Sequence, residues 1–522
     1  MKRGAVILAA LGALVSTGTA EVRLPSYLGS GMVVQRDVPI LVRGFAEPGE
    51  EVVVTQEGAQ STAKAAADGR WSVTLPPRAA GPIPDIAIEG GNKIVLTDLL
   101  AGDVWFAAGQ SNMEFKLRRA AGAAEEIPRA NHPDIRLFKV GRQIAKQPKN
   151  DVDGQWQRCT PETATDFSAV AYFFARDLQK ELGVPIGIIS AAWGGTPGEV
   201  WMAPEVMLED PDYAALYAEW DDYRKNYPAI KKQYEADMAA YEKKLAQPRA
   251  EGDKPPTKPL SKPHPDDNHK YPGVLFSGMV GPLAGLPIKG FLWYQGESNK
   301  DRHAQYKKLL SSLITDWRQR WDQGDLPFLL VQLANFKQLA AQPSDSGRTR
   351  VREAQAQVAQ KLPACALAVT IDLGEADDIH PLNKADVGRR LSLAALENVY
   401  GRDVVGSGPV HRAVNFGDGR AVVKFGSVGG GLAVGPDGKA KNLEGFALAG
   451  ADKKWHWAEA IIEGDQVVVR SEAVPDPVAL RYAWADNPPA SLYNNEGLPA
   501  VPFRTDDWPL IDDASGRDGP PE

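Results

Sequence analysis

Cysteine is almost missing from this chain. Only Cys159 and Cys365 occur among 522 residues, which rules out a disulfide scaffold and leaves either one bridge or two buried thiols. Long apolar runs are missing as well. The stretch over residues 5 to 15 falls short of the ~20 residues needed to span a bilayer, and no later segment is long and apolar enough to do so. Positive charge is not in excess: 59 Lys and Arg against 67 Asp and Glu leave a net charge of −8. With no basic stripe interleaved with aromatics, nucleic acid is not an expected partner. Histidine is scarce, at 7, and the one cluster, His264-Pro265-Asp266-Asp267-Asn268-His269, lacks the helical two-His spacing of a zinc hydrolase. No period of 20 to 50 residues repeats, which excludes a solenoid.

What is present is the composition of a large globular protein, 43% apolar and 24% charged, long enough for two or three compact units. Residues 1 to 20 carry Lys2 and Arg3, then AVILAALGALV, then small residues ending Thr-Gly-Thr-Ala, the layout of a cleavable signal peptide. The mature chain is expected to begin near Glu21, to be periplasmic or secreted, and to have no membrane association after cleavage.

Residues 21 to 100 read as a β-rich N-terminal domain, with VPILVRGF, EVVVTQE, RWSVTLP and NKIVLTDL separated by turn signals such as Pro48-Gly49 and Asp68-Gly69. From residue 101 to about 404 apolar strands alternate with amphipathic helices, the pattern of a parallel sheet covered on both faces. The expected strands are 104 to 109, 185 to 194, 288 to 296, 327 to 334 and 366 to 374. One helix carries Val170, Phe173, Phe174, Leu178 and Leu182 and stops at Gly183-Val184-Pro185; another starts at Asn383 as N-cap and runs to about Tyr400. Residues 204 to 272 read as an inserted helical pair followed by a Pro/Lys-rich loop. Residues 405 to 522 return to short β-like runs and a tail.

Four motifs fall at the ends of successive predicted strands, where open α/β sheets bind ligands. Gly109-Gln110-Ser111-Asn112-Met113 offers Ser111 as a nucleophile, although Met113 breaks the G-x-S-x-G elbow and a serine there equally suits a helix cap. Asp377-Asp378-Ile379-His380-Pro381 offers His380 as a base with a carboxylate beside it. Trp193-Gly194-Gly195-Thr196 and Trp293-Tyr294-Gln295-Gly296-Glu297-Ser298-Asn299 offer backbone N–H groups and the Gln295 amide for a tetrahedral oxyanion, although the glycines also suit tight turns. Trp193, Trp201, Trp293 and Tyr294 are candidate faces for a sugar ring or, as aromatics more commonly are, core residues.

With these motifs, the segments GDVWFAAGQSNMEF, ISAAWGGTPGEVWM, GFLWYQGESN, DDIHPLNKADVGRRLSLAAL and RYAWADNPPASLYNNEGLPAVPFRTD resemble those of the sialate O-acetylesterase family, a branch of the SGNH hydrolases. The resemblance spans nearly the whole mature chain. It implies a flavodoxin-like α/β/α domain with β-sandwich-like flanks and a Ser-His-Asp site that uses no metal or organic cofactor. By position it makes Ser111 the nucleophile and His380 the base, with a glycine of the Gly194-Gly195 pair, Gln295 and the Ser111 N–H as oxyanion donors. The superfamily pattern of Asp three residues before His selects Asp377 as the acid, family members often keep it at the place of Asp378, and related acetyl esterases involve the Glu of the QGE motif, here Glu297.

The expected activity is therefore removal of acetyl groups from a carbohydrate through an acetyl-serine intermediate. The substrate implied by the resemblance is O-acetylated sialic acid or an acetylated hemicellulose such as xyloglucan or xylan. Two other classes remain to be weighed: a non-catalytic carbohydrate-binding protein, and a metal-dependent hydrolase built on His264 to His269.

Overall fold

A computed structural model describes residues 21–247 and 255–509. The expected leader lies outside them, as do part of the Pro/Lys-rich loop and the end of the tail. Among the described residues no helix is long and apolar enough to cross a membrane.

The centre of the molecule is a sheet of seven strands in line: β1 (Leu99–Gly109), β2 (His132–Lys139), β3 (Trp156–Cys159), β4 (Ile186–Ala192), β5 (Gly290–Tyr294), β6 (Phe328–Val331) and β7 (Cys365–Ala368), in spatial order β3-β2-β4-β1-β5-β6-β7. All pairs are parallel except β2 with β3. The run β4-β1-β5-β6-β7 has the 2-1-3-4-5 order of flavodoxin, which puts the topological switch point between β1 and β5.

Burial explains why these segments are strands. Every residue of β1 and β5 is buried, as befits sheet interior covered on both sides. One face is covered by α2 (Ala169–Leu182) and α6 (Lys384–Asn398), whose Val170, Phe174, Leu178, Val387 and Leu391 share a core with Trp105 and Leu292. The other face is covered by α4 (His303–Trp321) and α5 (Gly347–Lys361), with Leu309, Leu313, Trp317, Val351 and Val358 packed on Phe106 and Phe291. Trp201 and Trp293 join this second layer, 0% and 1% exposed, and Tyr294 is buried against the first. Those three aromatics are core.

The helix termini follow their sequence signals. Ser168 caps α2 by accepting from the Ala171 N–H, and Gly183 ends it at φ +66°. Asn383 caps α6 through the Asp386 N–H. The two helices of the insertion are unequal: a short one over Pro204–Leu208 and a long one, α3 (Ala214–Leu245), which continues through Pro228. The 32 residues of α3 include no glycine and no internal capping turn, so nothing in the sequence forces the chain to reverse. β2 and β3 were not expected. Charge hides β2: its Arg136 is buried, but it pairs with Asp98 at 3.1 Å.

The N-terminal strands form a four-stranded antiparallel sheet and a two-stranded ribbon, alternating in burial, as Arg70–Leu75 does residue by residue. Val33–Gln35 and Gly81–Ile83 instead pair with the first residues of β1. That single strand runs across the boundary expected at residue 100, and Val52, Ile86 and Trp71 share one apolar cluster with the α/β core. The C-terminal strands make two four-stranded sheets and a two-stranded one (Leu432–Val434 with Leu492–Asn494), with a core around Val423, Leu448, Val467 and Leu480. Cys159 on β3 and Cys365 on β7 are both free thiols. They sit on the two outermost strands, six strand spacings or about 29 Å apart, far beyond the reach of a disulfide.

Candidate active site

β1 ends at Gly109, whose φ of +145° and close approach admit no side chain: a Cβ there would lie 2.2 Å from the Tyr294 carbonyl oxygen. The Gln110 N–H donates to that same carbonyl at 3.1 Å. The chain then turns into the short helix α1 (Ser111–Glu114), so Ser111 emerges at the switch point between β1 and β5. Gln110 is buried and its Oε1 accepts from the N–H groups of Gly296 and Ser298, both at 3.3 Å. The GQS and QGES turns are thereby tied together.

His380 reaches Ser111 from the loop between β7 and α6. Its Nε2 lies 2.9 Å from Ser111 Oγ, and its Nδ1 lies 3.1 Å from Asp378 Oδ1. With Nδ1 carrying the proton toward the carboxylate, Nε2 is free to accept from the serine hydroxyl. The imidazole is also stacked on Phe115, with centroids 6.4 Å apart and planes at 28°.

The two aspartates are sorted by the local turn, which brings Asp378 and not Asp377 to the imidazole. The His380 N–H donates to Asp378 Oδ1 at 2.8 Å, an Asx turn that swings this carboxylate round to the ring. Asp377 points outward and accepts from Gln338 Nε2 at 3.1 Å. Glu297 does not touch His380 either; its Oε1 accepts from Asn112 Nδ2 at 2.5 Å.

Two of the expected oxyanion donors are already hydrogen-bonded. The Gly194 N–H is taken by Glu114 Oε2 at 2.9 Å, and Glu114 in turn holds Arg142. Gln295 Nε2 donates to the Thr196 carbonyl at 3.2 Å and to Asn299 Oδ1 at 2.6 Å, while Oε1 accepts from the Tyr306 hydroxyl at 3.0 Å. Both of its amide hydrogens are thus taken by a buried network that also includes Glu199 and Arg302. Two backbone groups remain. The Ser111 N–H begins a helix and has no intrahelical acceptor. Gly195, at φ +71° with open space where a Cβ would be, follows Gly194, whose own Cβ would stand 3.3 Å from Ser111 Cβ.

Trp193 flanks this turn. His269 lies parallel to it with centroids 4.9 Å apart, and the Arg142 guanidinium is 5.3 Å from its ring centre. His264, by contrast, packs edge-on against Tyr227. The two histidines of the loop cluster thus serve different aromatic partners.

A flavodoxin-ordered sheet with a serine, a histidine and a carboxylate in contact at its switch point defines a serine hydrolase of the SGNH type. The family described as carbohydrate esterase, sialic acid-specific acetylesterase, matches residues 277–397, which hold the QGES and DIHP motifs. Sialate O-acetylesterase from Rattus norvegicus is 30% identical over 76% of this chain and 77% of its own; that from Homo sapiens is 28% identical over 92% of each. The crystal structure of a carbohydrate acetylesterase from Xanthomonas citri superposes with a TM-score of 0.79 at 36% identity, covering 94% of this chain and all of that one. The chain belongs to the sialate O-acetylesterase family and is a carboxylic ester hydrolase.

Sequence reasoning quoted Gln110 and Asn112 inside its motifs without a role, gave Ser298 and Asn299 only that of supporting or lining the pocket beside Glu297, and passed over Glu114. The missing signal is the partner: each makes its decisive bond to a residue far away in the chain.

Proposed function

We propose that the protein removes acetyl groups from carbohydrates, with Ser111 as nucleophile, His380 as general base and acid, and Asp378 as the carboxylate that orients the imidazole. The observation that carries this reading is the pair of contacts on one ring, Nε2 to Ser111 Oγ at 2.9 Å and Nδ1 to Asp378 Oδ1 at 3.1 Å.

In the first step Ser111 Oγ bonds to the acetyl carbonyl carbon while its proton passes to His380 Nε2. The oxyanion forms beside the N–H groups of Ser111 and Gly195, and each such donor is worth about 10²- to 10³-fold in rate. The carbon–oxygen bond to the sugar then breaks, and the sugar oxygen takes the proton from Nε2. In the second step water attacks the acetyl-serine and gives its proton to Nε2, which returns it to Ser111 Oγ as acetate leaves. No metal or organic cofactor enters this scheme.

The acetylated carbohydrate is either an O-acetylated sialic acid, as in the names of the mammalian relatives, or an acetylated hemicellulose. Acetate release from an O-acetylated sialoglycan, from acetylated xyloglucan and from acetylated xylan, with Ser111→Ala as control, tests both parts. Release from one class that vanishes in Ser111→Ala establishes the nucleophile and the substrate class together. Equal release by wild type and Ser111→Ala would remove Ser111 from its role. Glycan binding without acetate release from any substrate would favour a carbohydrate-binding protein.

A further inference from the structure

Directly behind the nucleophile lies a lysine that the mechanism does not use. Lys384, in the first turn of α6, is 0% exposed. A cation at a helix N-terminus opposes the helix dipole, and burying it costs several kcal/mol unless it is compensated, so neither helix stability nor solvation explains its place. Burial pulls its pKa down from 10.5 to about 7, opposed by the carboxylates of Glu297, Asp378 and Glu375.

Its contacts are specific. Lys384 Nζ donates to Asn112 Oδ1 at 2.5 Å and lies 4.8 Å and 5.4 Å from the ring centres of Phe115 and Tyr294. Asn112 Nδ2 donates to Glu297 Oε1 at 2.5 Å and to the Ile379 carbonyl at 3.1 Å. That carbonyl fixes which way round the amide sits, because reversing it would set two oxygens face to face. Glu297 is 7% exposed, and its Oε2 has no hydrogen-bond partner among the described residues. The result is a buried cation and a buried anion joined through one amide. The amide belongs to the residue after Ser111 and grips the residue before His380.

We infer that Lys384 is a positioning residue for the ester hydrolysis, acting with Glu297 through the Asn112 amide to hold the Ser111 turn in register with the His380 loop and to keep the charge behind them balanced. This inference rests on the assignment of Ser111 and His380 as nucleophile and base. It makes Glu297 the counter-charge of Lys384 and removes it from candidacy as the acid of the triad.

Four charged groups act on Lys384: Glu297 from the turn after β5, Asp378 and Glu375 on the His380 loop, and Arg119, whose guanidinium lies 4.7 Å over the Phe115 ring; of these Asp378 touches the imidazole, and Phe115 stacks on it. Removing Lys384 leaves Glu297 uncompensated, and extra negative charge favours the protonated imidazole. The acid limb of kcat/KM should therefore move to higher pH in Lys384→Met and to lower pH in Glu297→Gln, and return toward its wild-type position in the double variant.

The experiment is pH–rate profiling of wild type, Lys384→Met, Lys384→Arg, Glu297→Gln and Lys384→Met/Glu297→Gln on an acetyl ester such as p-nitrophenyl acetate, with Ser111→Ala alongside. Lys384→Met is expected to lower kcat at least tenfold with KM within about twofold, Lys384→Arg to restore part of that loss, and the single charge removals to shift the acid limb in opposite directions. An unchanged kcat and acid limb in folded Lys384→Met, or shifts of the same sign in the two single variants, would overturn the inference. Should Lys384→Met not fold, Glu297→Gln alone decides, since an unmoved limb there is equally fatal. Activity surviving in Ser111→Ala would instead defeat the underlying assignment, so the two failures are distinguishable.

Discussion

Asp377 and Asp378 are neighbouring carboxylates in opposite situations, and the difference sets a sharp expectation for each. Asp378 faces the imidazole, with its side chain 44% exposed, so it is screened more than a buried triad acid. Asp378→Asn should lower kcat by on the order of 10²-fold, less than the ~10⁴-fold typical of a buried triad carboxylate. Asp377→Asn, which disturbs only the contact with Gln338, should leave kcat within about twofold. Steady-state kinetics on one acetyl ester decides between them, and a larger loss in Asp377→Asn would reverse the assignment. The Gln295 amide is the right chemistry for an oxyanion donor, but its two hydrogens go to Thr196 and Asn299, and its oxygen accepts from Tyr306.

At the scale of elements, the decisive junction is the β1-to-α1 turn. Gly109 is there because the Tyr294 carbonyl of β5 passes where a Cβ would sit, and because its φ of +145° suits no other residue. Gly109→Ala should destabilise the protein by more than about 2 kcal/mol in denaturant unfolding and abolish ester hydrolysis, since the same turn aims Ser111. A second tie lies under it: the Ser168 hydroxyl, while capping α2, donates to the Met113 carbonyl at 2.6 Å and so joins the nucleophile helix to its neighbour. Helix ends of this kind are legible in sequence because capping is local chemistry. The length of α3 was not, because a polar helix with little buried surface carries only weak periodicity.

Across the whole molecule, the C-terminal β region does more than follow the α/β core. Arg352 of α5, 1% exposed, donates to the carbonyls of Leu333 and Ala334 after β6 and of Ala485 and Asp486 in the C-terminal region, at 2.7 to 2.8 Å. Asn335 in turn bonds Asn487 and holds Gly374 N–H on the His380 loop. A buried cation with carbonyl partners is costly to remove, so Arg352→Met should lose about 3 kcal/mol or more and reduce kcat by loosening the His380 loop, both read from one purified variant. The thiols give a simpler test. Burial pushes Cys159 up to about 12 and Cys365 up to about 11, which leaves almost no thiolate at pH 8. Native protein should therefore resist iodoacetamide while the unfolded chain takes two equivalents, and a reductant should not shift Tm.

The serine and histidine motifs, the parallel α/β core with β-rich flanks and the caps of α2 and α6 were determined by the sequence itself, since periodicity, turn residues and capping act over a few residues. Tertiary structure alone decided which carboxylate meets His380, that Gln295 and Gly194 are already occupied, that Cys159 and Cys365 stand at opposite edges of the sheet, and that Lys384 lies behind Ser111. Each of these except the choice of aspartate depends on segments far apart in the chain, as with Asn112 and Lys384, 272 positions apart. The choice between Asp377 and Asp378 depends instead on the direction a single turn takes. Local signals specify which elements form, and the side-chain chemistry available at a site depends on which of those elements the sheet order brings together.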